Sequence, residues 1–162
     1  MSRHLVSLML AMLLVPAAAR AEGSFQTWGP HIGFSTSPSQ VVFGGQFQAG
    51  NVAPEIDFLP GVDIGLGDGE TWVSLNGDFH YRFVISGATW QPYAGAGVCV
   101  HFVSWDSNNS GHDSSETLAG GSLLFGADVP TKTGNRFFVE GKVALGDGPS
   151  FKVLAGWHFK MR

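Results

Sequence analysis

The amino-acid sequence predicts an all-β fold, a closed antiparallel up-and-down barrel of eight strands built to sit in a membrane. Three observations carry that expectation. Apolar and polar residues alternate with a period of two along almost the whole chain beyond residue 21, the signature of strands with two unlike faces. The alternating segments run about 9–13 residues, close to the length a tilted strand needs to cross a bilayer and longer than most strands of soluble proteins. Composition agrees: 23 of 162 residues are glycine and only 14% are charged, against roughly 7% and about 25% in ordinary globular chains.

Residues 1–21 precede the fold and read as a cleaved export signal. Arg3 and His4 open a short basic region, Leu5 to Val15 form an apolar run, Pro16 breaks it, and Ala19-Arg20-Ala21 offers the small-x-small pattern of a cleavage site. The run is too short to span a bilayer as a helix. The expected mature chain is a single domain, residues 22–162. Cleavage takes Arg3 and Arg20 from the nine basic residues, leaving seven against thirteen acidic ones and a net charge of −6. Nothing in that balance points to nucleic acid as a partner. A single cysteine, Cys99, excludes an internal disulfide framework and a cysteine-based zinc cluster. No cofactor or metal is expected.

The strands follow in order. The first two lie at about 26–35 and 40–49, divided by Thr36-Ser-Pro-Ser39. In the third, 55–66, Ile56, Phe58, Val62, Ile64 and Leu66 oppose Glu55, Asp57 and Asp63. In the fourth, 71–83, Val73, Leu75, Phe79, Tyr81 and Phe83 oppose Ser74, Asn76, Asp78, His80 and Arg82. The fifth and sixth, 90–103 and 117–129, flank a long polar connection from Ser104 to Glu116. The seventh, 137–145, sets Phe137, Val139, Val143 and Leu145 against Glu140 and Lys142. The last, 151–159, sets Phe151, Val153, Ala155, Trp157 and Phe159 against Lys152 and His158. The turns between them carry Gly50-Asn51, Gly67-Asp-Gly69, Ser86-Gly87, Thr133-Gly-Asn135 and Gly146-Asp-Gly-Pro149.

Alternation alone leaves open which face is enclosed. Strand length, aromatics gathered toward strand ends (Tyr81, Phe83, Trp90, Phe102, Trp105, Trp157, Phe159) and a polar face of mixed charge favour lipid outside and polar groups within. The polar face holds Glu55, Asp57, Asp63, Asp78, Arg82, Glu140, Lys142, Lys152 and Lys160. A buried charge needs a partner, so Asp57, Asp63, Asp78 and Glu140 are expected to meet Arg82, Lys142 and Lys152 as a structural lumen network. Glycines at 44, 45, 61, 65, 95, 97, 120, 121, 126 and 156 are expected on the crowded inner wall.

The signal segment, the eight alternating stretches, Tyr93-Ala-Gly-Ala-Gly-Val98, Phe137-Phe-Val-Glu-Gly-Lys142 and the aromatic strand Phe151–Phe159 together resemble the small eight-stranded outer-membrane proteins of Gram-negative bacteria, the OmpA-transmembrane-like and opacity-like barrels. The resemblance implies an outer-membrane location, surrounding outer-membrane lipid, termini on the periplasmic side and the 104–116 connection outside. It also implies recognition of the last strand by the barrel-assembly machinery. Such proteins end on an aromatic residue, whereas here Lys160-Met161-Arg162 follow Phe159.

The long connection carries two candidate sites. Asp106-Ser-Asn-Asn-Ser-Gly111 resembles half a calcium loop, but the twelfth position is Thr117, not a bidentate acid. His112, Ser114 and Glu116 form a possible base, nucleophile and acid; an eight-stranded lipid A deacylase places such a set on a strand, whereas this one sits in a serine-rich loop. His31, His80, His101 and His158 are expected to face the lumen as polar-network members. The function expected is a non-enzymatic outer-membrane barrel, structural or engaged in surface interaction through its external loops, with no open pore and an unknown external ligand. The alternatives are a membrane-embedded lipid hydrolase using Ser114 and a soluble exported barrel holding an apolar ligand.

Overall fold

A computed structural model describes residues 26–105 and 114–161. The segments for the expected export signal and for the tip of the 104–116 connection lie outside the described residues. Eight long strands and one short one make up the fold: β1 (Thr27–Thr36), β2 (Gln40–Gln48), β3 (Asn51–Ala53), β4 (Ile56–Gly67), β5 (Glu70–Arg82), β6 (Gln91–Trp105), β7 (Ser114–Pro130), β8 (Arg136–Gly146) and β9 (Phe151–Lys160). The eight long strands fall where alternation places them. The three-residue β3 was not expected; it pairs only with the start of β4, in a stretch too short to alternate.

All pairings are antiparallel between chain neighbours, and two further ladders close the ring: β1 with β9, and β2 with β4. Closure removes the unpaired edges that an open sheet would leave. The β1–β2, β4–β5, β6–β7 and β8–β9 connections lie at one end, the loop end. The other end, the terminal end, gathers the remaining connections, Gln26 and Met161. The β6–β7 hairpin projects at the loop end, because β8 joins β7 only from the Gly120–Gly146 pair onward.

The two faces separate cleanly. Every long strand sets at least two large apolar residues outward, among them Phe34, Phe47, Ile64, Leu75, Phe102, Phe125, Val143 and Trp157, and Phe34 is 66% exposed. Inside, buried polar and charged residues outnumber buried apolar ones among the described residues, the inverse of a water-soluble core. A continuous apolar belt of this extent is foreign to soluble monomers, and a soluble barrel would need the two faces exchanged. Two expectations are corrected. Glu55 and Lys160 are exposed, since Glu55 turns away at φ 65° in the β3–β4 turn and Lys160 sits at the terminal rim. Gly45 and Gly121 lie on the outer parity of β2 and β7, one residue out of phase with the inward Gly44 and Gly120.

Candidate functional site

The lumen is the candidate site, and adjacent strands build it in tiers. In each ladder an inward residue faces inward residues on both neighbours, so register alone decides which charges meet. Nearest the terminal end, Asp57 of β4 accepts a hydrogen bond from Arg82 Nε of β5. Arg82 Nη1 lies 3.2 Å from Asp128 of β7, which is also 3.6 Å from Arg136 Nε at the start of β8. Two carboxylates and two guanidiniums thus form a balanced cluster. Asp57 and Asp128 are each 1% exposed, so without the arginines they would be bare charges in a low-dielectric interior.

The next tier centres on Glu140. Tyr93 donates its hydroxyl to Glu140 Oε2 at 2.9 Å, and His80 stacks on the Tyr93 ring with centroids 4.5 Å apart. Gly126, directly across from Tyr93, makes this possible: a Cβ there would lie 2.5 Å from the tyrosine Cζ and Oη. Lys142 donates to Asp78 and reaches within 3.6 Å of Glu140 Oε1. Asp78, His80 and Glu140 bring potential metal-ligand atoms within 4.8 Å of one another, but the Lys142 ammonium already supplies the cation among them. Beyond this tier, Asp63 accepts from Lys152 Nζ at 2.9 Å and meets His31 Nε2 at 2.8 Å.

Toward the loop end lies a hydrogen-bonded chain: Ser74 Oγ to His101 Nδ1 at 2.7 Å, and His101 Nε2 to Cys99 Sγ at 3.1 Å. Its order matches nucleophile, base and orienting group. The lumen cavity that adjoins both His101 and Cys99, about 20 Å³, holds no more than a water-sized molecule.

All seven residues named for the network, Asp57, Asp63, Asp78, Arg82, Glu140, Lys142 and Lys152, are buried in this lumen, and each makes an ion pair with another of the seven. His31, His80, His101 and His158 are buried there too. Asp128, Tyr93 and Arg136 were missed. Parity gave a signal for Asp128, which alternates with the outward Phe125, Ala127 and Val129, whereas Arg136 stands one residue before the alternating stretch. The calcium-like segment 106–111 and His112 lie outside the described residues; Ser114 begins β7 and Glu116 is exposed.

No protein-family model matches the chain, and no curated protein sequence does. Solved structures do share its fold. The N-terminal β-barrel domain of OprF from Pseudomonas aeruginosa superposes with a TM-score of 0.62 at 12% identity, covering 85% of this chain and 100% of that one. Neisserial surface protein A gives a TM-score of 0.60 at 14% identity, covering 83% of this chain and 94% of its own. At such identities the likeness is one of fold. The closed eight-stranded architecture of outer-membrane barrels, expected from the sequence, is the architecture the chain has.

Proposed function

We propose that the protein is an outer-membrane β-barrel with a structural or surface-interaction role, exerted through the loop end and without enzymatic activity. One observation carries the reading: an apolar belt on all eight long strands surrounds a lumen of buried ion pairs. Lipid is the solvent that rewards such a belt, and a closed barrel is the β-structure that leaves no backbone group unpaired in it. The ion pairs occupy the space a pore would need, as the narrow bore of eight strands favours. Supporting a role at the loop end, the β6–β7 hairpin reaches beyond its neighbour there.

Four measurements test this. Fractionation should recover the protein only with detergent, and the unboiled form should migrate differently from the boiled one on a gel. Buffer-soluble protein with no heat shift would defeat the barrel-in-membrane reading. Cysteine at Ser110→Cys should then react with a membrane-impermeant maleimide on intact cells, in a Cys99→Ala background; reaction only after the cells are opened would defeat the surface role. Lipid deacylation abolished by Ser114→Ala would replace the reading with that of a hydrolase.

A further inference from the structure

We propose that the vestibule at the terminal end of the barrel is a binding site for an oxyanion, a phosphate or carboxylate group, carried by a small ligand. The vestibule is a cavity of about 470 Å³, lined among others by Thr27, Gln48, Arg136, His158 and Lys160. Among the described residues, no carboxylate lines it, in a chain whose acidic residues outnumber its basic ones thirteen to nine. Composition would deliver the opposite, so the placement is particular to this end.

The donors are arranged for use. Asp128, behind the wall, holds Arg136 Nε at 3.6 Å, and Gln48 Oε1 accepts from Arg136 Nη2 at 2.9 Å. The fork is fixed by these two contacts, yet the guanidinium side chain keeps 21% of its surface open. Gln48 Oε1 also takes the Thr27 hydroxyl at 3.3 Å, leaving the Gln48 amide NH2 as a further donor. Among the described residues neither the Lys160 nor the Lys132 ammonium has an ion-pair or hydrogen-bond partner, and Lys132 stands exposed on the turn that carries the wall residue Gly134. A planar fork and an exposed ammonium on one wall are the pairing that suits a tetrahedral or planar oxyanion. The loop end carries Asp68, Glu70, Glu116 and Asp147, whereas at the terminal rim Lys132, Arg136 and Lys160 outnumber the one exposed acid of the described residues there, Glu55, so an anion is also drawn to the terminal end by the field along the barrel.

The test uses the folded protein reconstituted in phosphatidylcholine vesicles, with inorganic phosphate titrated calorimetrically. Saturable binding is expected. Lys160→Gln, at an exposed position, should weaken it about tenfold, the scale of one charge-assisted hydrogen bond. Arg136→Lys should weaken it similarly while keeping the charge, because the fork is lost. Unchanged gel heat shift in both variants shows that the barrel is intact. Vesicles doped with phosphatidylglycerol separate the sources: competition with phosphate identifies a lipid headgroup as the carrier, and no competition identifies a soluble one. Absence of saturable binding, or binding indifferent to both substitutions, overturns the proposal.

Discussion

Lys142 holds its place in the lumen by charge: its ammonium is shared between Asp78 and Glu140, and neither carboxylate has access to water. Removing the cation while leaving the acids exposes an uncompensated buried charge, which costs about 3–5 kcal/mol. Lys142→Met should therefore lower barrel stability by about that amount in urea unfolding followed by tryptophan fluorescence. Adding Asp78→Leu should return part of the loss, since one of the stranded charges goes with it. A neutral Lys142→Met would show that the pairing is dispensable. Inner and outer glycines should separate in the same assay. Gly126→Ala drives a methyl into the Tyr93 ring and should cost about 1–3 kcal/mol as overpacking. Gly45→Ala, whose added carbon meets nothing nearer than 3.8 Å, should be nearly silent; equal effects would refute the assignment of faces.

Each long strand works as a two-sided element, and β5 shows the rule most plainly. Trp72, Ser74, Asp78, His80 and Arg82 are buried inward, while Leu75 and Tyr81 stand outward and exposed. In a bilayer the cost of an outward charge depends on depth. Leu75→Arg, near the middle of β5, should destabilise the folded barrel by about 2–4 kcal/mol in vesicles, and Tyr81→Arg, near its terminal end, by at most about 1 kcal/mol. Similar values at the two positions would contradict a belt centred on the strand middle. Within the lumen, register matters more than strand identity. A slip of one residue by β5 against β4 would carry Asp78, His80 and Arg82 to the outer face, so the ion pairs act as registry pins.

At the scale of the whole molecule, closure and filling go together. Eight strands give a bore just wide enough for side chains, and the tiers from Asp57–Arg82 to Ser74–His101 occupy it. The reconstituted barrel in a planar bilayer should accordingly show no steady ohmic conductance at low voltage; a constant open-channel current would contradict a plugged lumen. Charge is also graded along the axis, with Asp68, Glu70, Glu116 and Asp147 at the loop end and Lys132, Arg136 and Lys160 outnumbering the exposed Glu55 at the terminal rim. That gradient gives the two mouths different chemistry without altering the fold.

Strand number, strand limits and the division into two faces were legible in the linear sequence, because period-two alternation and glycine-rich turns are local properties of the backbone. Asp57, Asp63, Asp78, Arg82, Glu140, Lys142 and Lys152 could be assigned to one face for the same reason. Their partners could not all be known. Lys152 meets Asp63 across 89 positions of chain, and Arg136 reaches Gln48 across 88, contacts that exist only once β1 joins β9 and the ring closes. The four-charge cluster around Asp128, the His80–Tyr93 stack bonded to Glu140 and the vestibule, which no carboxylate lines among the described residues, arise the same way. Local periodicity decides which side of the wall a residue faces; closure and register decide what it meets there.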